Sequence, residues 1–337
     1  MDAKVGGKGA GGGGPCCAVF DGRGDAPALV DLAATLLKRQ KEEWRDLSAG
    51  YAALAAVRTR EIRGQGWRVL VQFNPRRIVS SGARLDPETV RQRPCFLCPD
   101  HRPPEQRAIA YRNDWLILCN PMPIFPGHLT IANRSHLPQS LPDHIGTFLG
   151  LAADFGPRMT LFYNGPRAGA SAPDHLHFQA APAGWIPVEM EICAPRKRAG
   201  IRHRSGVTIS RTVELGRGAL VVEGGEADSL ATAVREAIAA LGRFTPSTGE
   251  PQLNLLGRHT GEGWCLILFP RRKHRPAAYF REGDQGLLIS PGAVDMGGVL
   301  ITPREQDFWK LTPELVSEIY REVAFDDVTA EALLDCL

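Results

Sequence analysis

Residues 159–180 read MTLFYNGPRAGASAPDHLHFQA, and this stretch sets the fold class. Met159 to Tyr163 is an apolar run of strand length, and His175 to Ala180 is a second one. Between them, Asn164 to Pro173 is a loop of Gly, Ala, Ser and Pro. Alternate side chains of a strand share a face, so His175, His177 and Gln179 should look one way while Leu176 and Phe178 enter a core. Two imidazoles and an amide on one strand face form a chemical surface. An exposed face with two incidental histidines is the plain alternative, because motifs this short recur by chance. The neighbouring small-residue loop favours chemistry, since backbone amides without bulky side chains can approach a phosphate closely.

N-terminal to this stretch, a helical pattern runs from about Ala26 to Val57, with Leu29, Ala33, Leu36, Leu37, Trp44, Leu47, Tyr51 and Leu54 at helical steps. A strand follows at Val69 to Phe73. A strand pair, Leu116 to Cys119 and His128 to Ala132, flanks a Pro-rich turn, and Pro142-Asp143 opens a helix. The second half repeats this grammar. Strands at Val207 to Ser210 and Ala219 to Val222 precede a helix from about Asp228, a strand pair at Asn254 to Leu256 and Trp264 to Phe269, and a final helix capped by Thr312. WLILCNPMPIFPGH and WCLILFPRRKH share a strand-then-proline shape that hints at duplication. The expected fold is α+β: antiparallel sheets with packed helices in two pseudo-repeated halves. The division expected is a disordered Gly-rich tail at 1–25, a half carrying the chemistry at 26–190, and a second half at 191–337 that completes the site.

Cys95 and Cys98 have the spacing of a redox pair or a metal knuckle. A thioredoxin-like pair should begin a helix after a strand, whereas Pro94 and Pro99 flank this one, which suits a knuckle. A closed tetrahedral site needs two more ligands. His101, His128, His136, His144 and His175 are candidates, and only the fold can choose among them. Cys119 and Cys265 sit in apolar runs and read as core residues.

Composition narrows the function. With 40 Lys plus Arg against 37 Asp plus Glu, the formal charge of +3 argues against nucleic acid as the main partner. No stretch nears the roughly 18 apolar residues of a membrane span. The cysteine pattern and the N-terminus, with no basic start followed by an apolar core, make the reducing cytoplasm the expected compartment. Basic clusters are local, at Arg76-Arg77, Arg196 to Arg204 and Arg271 to Arg275. The middle one reads as a solvated face, and a phosphate-bearing small substrate would account for the other two.

NPRRIVSSGAR with RPCFLC, then GHLTIANRSHLPQSL, then FYNGPRAGASAPDHLHFQA follow in order the landmarks of the histidine-triad (HIT-like) superfamily in its galactose-1-phosphate uridylyltransferase branch. The resemblance covers roughly residues 70–180. It implies a structural zinc on Cys95, Cys98, His136 and His175, with His177 as the nucleophile that becomes nucleotidylated. It further implies that Gln179 holds the phosphoryl oxygen, that Asn164, Gly165 and Ser171 contact phosphate, and that Asn120 lies near the nucleotide. HLHFQ, with Asp174 in place of a proline, is similar instead to GDP-hexose phosphorylases such as GDP-L-galactose phosphorylase. The resemblance therefore implies a nucleotidyltransferase or phosphorylase acting on a nucleotide-sugar, with phosphate or a sugar-1-phosphate as second partner. It also implies a homodimer. The alternatives are a dinucleoside polyphosphate phosphorylase or hydrolase, and a zinc-stabilised nucleotide-binding module without turnover. Arg272 or Lys273, following an apolar strand, is expected to reach the phosphate end of the substrate.

Overall fold

The computed structural model describes residues 16–22, 28–84, 86–245 and 248–337. Strand β1 (Cys16–Phe20) precedes α1 (Leu29–Glu43) and α2 (Arg45–Ala55). The single helical run expected over 26–57 is thus two helices, parted at Trp44, whose backbone is extended and whose ring is buried. Neither Pro nor Gly signals this break, and burial of the indole makes it. The tail expected at 1–25 lies partly outside the described residues, at 1–15 and 23–25. Cys16–Phe20 departs from that expectation, because it is a strand paired with residues 108–111.

β2 (Arg58–Arg63) and β3 (Arg68–Phe73) form a hairpin, and the short helices α3 (Ile78–Ser81) and α4 (Pro87–Gln92) follow it. Then come β4 (Ala108–Tyr111), β5 (Trp115–Cys119), β6 (Leu129–Asn133), α5 (Ile145–Phe155), β7 (Met159–Asn164), β8 (His177–Pro182) and α6 (Val188–Glu191). The remainder is β9 (Arg198–Arg204), β10 (Val207–Thr212), β11 (Leu220–Gly224), α7 (Ala227–Leu241), β12 (Leu253–Thr260), β13 (Gly263–Pro270), α8 (Ala293–Met296), β14 (Val299–Thr302), α9 (Glu305–Lys310), α10 (Pro313–Val323) and α11 (Asp327–Leu334).

Among the described residues eleven strands join in one sheet, in the order β1-β4-β5-β6-β8-β7-β12-β13-β11-β10-β9, antiparallel except at β1. Two halves of identical topology meet at its centre. In each, three strands run consecutively, a helix follows (α5 or α7), and the last two strands return in swapped order: β4-β5-β6-β8-β7 and β9-β10-β11-β13-β12. The halves join through the antiparallel pair β7 and β12. This is the α+β fold expected, with its pseudo-repeat. The two proline-ended strands noted in the sequence are not equivalent, however, since β5 is the second strand of its half and β13 the fifth. The counterpart of β8 is β13, which carries Trp264 to Phe269 where β8 carries the histidine and glutamine. The repeat survives as hydrogen-bond topology and not as local sequence, because only one half retains the polar face.

Alternation along the strands gives the sheet two apolar faces. Leu161, Tyr163, Phe178, Ala180, Leu255 and Leu268 pack beneath α1, α5 and α7. Phe162, Ala181, Val221, Leu256 and Ile267 face a second layer, built on the small sheet β14-β3-β2 and on α8 to α10. A cavity lies between the large sheet and this second layer. Among the described residues no helix is long and apolar enough to cross a membrane.

Candidate functional site

The four side chains expected as metal ligands come together. The Cys95, Cys98, His136 and His175 donor atoms all lie within 4.8 Å of one another. Cys95 Sγ is 3.3 Å from His175 Nδ1, and Cys98 Sγ is 3.2 Å from His136 Nδ1 and 3.5 Å from His175 Nδ1. A tetrahedral metal about 2.3 Å from sulfur and about 2.0 Å from nitrogen would set such pairs about 3.5 Å apart, so the cluster fits a metal ion. His175 Nε2 donates to the Asn133 carbonyl at 2.8 Å, which fixes the tautomer that turns Nδ1 toward the thiols. The Asp174 carboxylate lies 3.7 Å from His136 Nε2 and accepts from Arg93 at 3.1 Å. His175 itself stands ahead of β8 in a turn, not on the strand face where alternation placed it. Its side chain therefore leaves the His177 face and joins the knuckle.

His177 and Gln179 do share a face of β8 and line a cavity of about 450 Å³. His177 is held on three sides. Its N–H donates to Gln139 Oε1 at 2.8 Å, Gln139 Nε2 returns a bond to the His177 carbonyl at 3.0 Å, and His177 Nδ1 donates to the His175 carbonyl at 2.7 Å. With Nδ1 carrying the proton, Nε2 keeps the lone pair. Burial pushes the imidazole pKa down to about 4, against the opposing pull of the His175 carbonyl, so the ring is neutral.

Gln179 is fixed by a residue that local sequence did not single out for this role. His128 is fully buried, its Nδ1 accepts from the Ile124 N–H at 3.2 Å, and its Nε2 therefore donates to Gln179 Oε1 at 2.9 Å. Burial first, and the Arg77 charge second, hold His128 down near pKa 3. The Gln179 amide is thereby oriented with its oxygen spent and its two N–H groups available.

Two cations line the cavity. Arg77 Nη1 donates to the Met122 carbonyl at 3.0 Å, while its buried Nε has no partner among the described residues. Burial lowers its pKa to about 10, which leaves it charged near neutral pH, and the Asp295 carboxylate opposes that shift. Arg93 donates to the Ser171 carbonyl at 2.9 Å, and its buried Nε also lacks a partner among the described residues. Enclosed guanidinium donors of this kind suit an anion. The Arg76-Arg77 pair was the sequence signal for the first, while Arg93 and Gln139 gave none.

The other expected residues divide. Asn120, Asn164 and Ser171 line the cavity. Asn120 is spent locally, donating to Thr130 Oγ1 at 3.1 Å and accepting from the Met122 N–H at 2.9 Å. Asn164 Oδ1 accepts from the Ala293 N–H at 2.7 Å and from Asn254 Nδ2 at 3.1 Å, tying the two halves together. Gly165 is away from the cavity, and a Cβ there would stand 2.8 Å from the Leu253 carbonyl oxygen. Gly169, at φ +96°, meets Gly292 so closely that a Cβ would lie 2.6 Å from its Cα. The small residues of this loop thus serve backbone packing between the halves as much as any phosphate.

Lys273 departs from expectation. It does not line the cavity, is 59% exposed and pairs with Glu322 at 3.5 Å. Its neighbours are also committed. Arg272 pairs with Asp326 at 2.8 Å, and fully buried Arg271 donates to the carbonyls of Val323, Pro291, Lys273 and His274. The cluster fastens the end of β13 to α10 and α11. Lys273→Ala should accordingly leave nucleotide affinity within about twofold of wild type by calorimetry, since an exposed pair contributes about 0–1 kcal/mol. A larger loss would put Lys273 back at the substrate.

The family described as "Domain of unknown function (DUF4922)" matches residues 36–182. No curated protein matches the chain. Among solved structures, the yeast Ap4A phosphorylase Apa2 in complex with AMP is similar at a TM-score of 0.57 and 16% identity, covering 86% of this chain and 96% of that one. The same enzyme without that ligand gives 0.55 over 85% and 94%, and in complex with Ap4A 0.54 over 86% and 97%. At this identity the likeness is one of fold, carried over nearly the whole of both chains.

Proposed function

We propose that this chain, which has the fold of the histidine-triad superfamily, is a nucleotidyltransferase or phosphorylase acting on a nucleotide-sugar through a nucleotidyl-histidine intermediate. The observation that carries the proposal is the free lone pair of His177 Nε2 beside the aligned Gln179 amide in a cavity lined by two arginines. His177 Nε2 attacks the α-phosphorus, a P–N bond forms, and the P–O bond to the sugar phosphate breaks, releasing sugar-1-phosphate. An oxygen of inorganic phosphate, or of a second sugar-1-phosphate, then attacks the same phosphorus and displaces His177 Nε2, giving a nucleoside diphosphate or a new nucleotide-sugar. Gln179 N–H groups and the Arg77 and Arg93 guanidinium groups stabilise charge on the phosphoryl oxygens.

Zinc is the metal that two thiolates and two imidazoles suit, and such a set leaves no position for water, so its part would be structural. It would anchor His175 and hence the start of the strand that presents His177. A second reading, phosphorolysis of a dinucleoside polyphosphate, is favoured by the fold shared with a phosphorylase of Ap4A. Purified protein assayed with phosphate against nucleotide-sugars and dinucleoside polyphosphates, reading released nucleoside diphosphate, separates the two. Activity on neither class would defeat the proposal.

His128 should then act as a positioning residue. His128→Phe keeps a ring in the pocket but removes the donor to Gln179 Oε1, which lets the amide turn. Turnover should fall about 10- to 100-fold with little change in the Michaelis constant, as misplacement of a group near the reacting centre does. Unchanged turnover would show that Gln179 needs no such support.

A further inference from the structure

The strand register lays the cavity floor out as a ruler. Gln179 on β8 stands opposite Thr130 on β6, Thr130 opposite Leu118 on β5, and Leu118 opposite Ala108 on β4. These are three strand spacings, about 14 Å at ~4.8 Å each. The floor is polar at β8, where the proposed chemistry sits, and apolar at β5. Gln106 lies two residues before Ala108 and lines the cavity at that far end. It is 8% exposed, and Leu97, Pro103, Phe96 and Trp44 line the same cavity.

Gln106 is a polar side chain in apolar surroundings, and its amide has a determined sense. Its Nε2 donates to the Cys119 carbonyl at 3.4 Å. A carbonyl oxygen can only accept, so the NH₂ group must face it, and Oε1 is the end left over. Among the described residues no donor to Oε1 is found. Asp46 lines the same cavity, is exposed, and carries a carboxylate that also accepts. This end of the cavity offers acceptors to whatever plane lies over Leu118.

We infer that the cavity selects a nucleobase bearing an exocyclic amino group, which donates to Gln106 Oε1 while the ring lies on Leu118. This deepens the nucleotidyl-transfer reading and rests on it. A phosphate at His177 and Gln179 places the base of the same nucleotide at the opposite end of the floor. A keto oxygen there would face acceptors and leave Gln106 unpaired, so adenine is favoured over hypoxanthine, which lacks its amino group, and cytosine over uracil.

The test is calorimetric binding of nucleoside monophosphates, which needs no turnover. Wild type should bind AMP at least about tenfold more tightly than IMP, and CMP more tightly than UMP. Gln106→Leu should bring each pair within about threefold, while Gln106→Glu, which keeps an acceptor, should retain the preference. Equal affinities in wild type, or a preference that survives Gln106→Leu, overturn the inference while leaving nucleotidyl transfer standing. Failure of all four nucleotides to bind wild type would remove the nucleotide reading of the cavity, and this inference with it.

Discussion

Incubated with a nucleotide-sugar substrate and no acceptor, the protein should gain the mass of one nucleoside monophosphate on His177, and His177→Ala should gain nothing. The expectation follows from the tautomer. The bond from Nδ1 to the His175 carbonyl commits the proton to that nitrogen, so Nε2 is the nucleophile and the linkage is a phosphoramidate. Such a linkage is labile in acid and stable in alkali, and the kinetics with an added acceptor should be ping-pong. Removing a covalent nucleophile commonly costs several orders of magnitude, so turnover in His177→Ala should fall by about 10⁴-fold or more. Gln179→Ala should slow the reaction yet leave part of it, because the arginines remain. Full metal content and retained AMP binding in His177→Ala would show that the variant is folded. Intact turnover in such a variant would defeat the mechanism.

Cys95→Ser should produce the largest loss of stability. Protein purified without added metal should carry close to one zinc per chain, and the variant close to none. The cluster joins three separate places in the chain: the turn at Cys95 and Cys98, the segment after β6 that bears His136, and the turn before β8 that bears His175. A metal there closes long loops and contributes directly to folding. Its loss should cost on the order of 3 kcal/mol or more, read from denaturant unfolding. Activity should fall as well, because the His175 carbonyl sets the His177 tautomer. The same readout tests the metal itself: chelation of wild type should reproduce the variant's instability. Wild type free of metal and equally stable would defeat the assignment.

Much of the architecture was legible in the chain. Apolar runs of strand length located β7, β8, β12 and β13, the Asp228 region and Thr312 marked helix starts, and the α+β class followed. The pair Cys95 and Cys98 announced a knuckle because proline on both sides forces a turn. What the chain alone could not choose was the partner histidines, since five candidates stood at unhelpful spacings. Resemblance named His136 and His175, and the fold brings those two to the thiols. Around the site, local spacing misled in two places. Alternation put His175 on the strand, whereas the turn before β8 rotates it toward the knuckle. The basic run at 271–275 suggested phosphate, whereas helices far along the chain claim its first three cations.

The residue pattern alone located the central strands and the class of fold and singled out the histidine-bearing strand, because each depends on residues within a few positions of one another. Tertiary structure decided the rest. The His128 bond to Gln179 spans 51 residues, and Asn164 meets Ala293 across 129. Arg77, Arg93 and Gln106 reach one cavity from segments that no periodicity connects. The physical reason is that a local pattern records which face of an element is apolar, whereas a tautomer, an amide's sense or an enclosed charge depends on the partner that the sheet register brings opposite it.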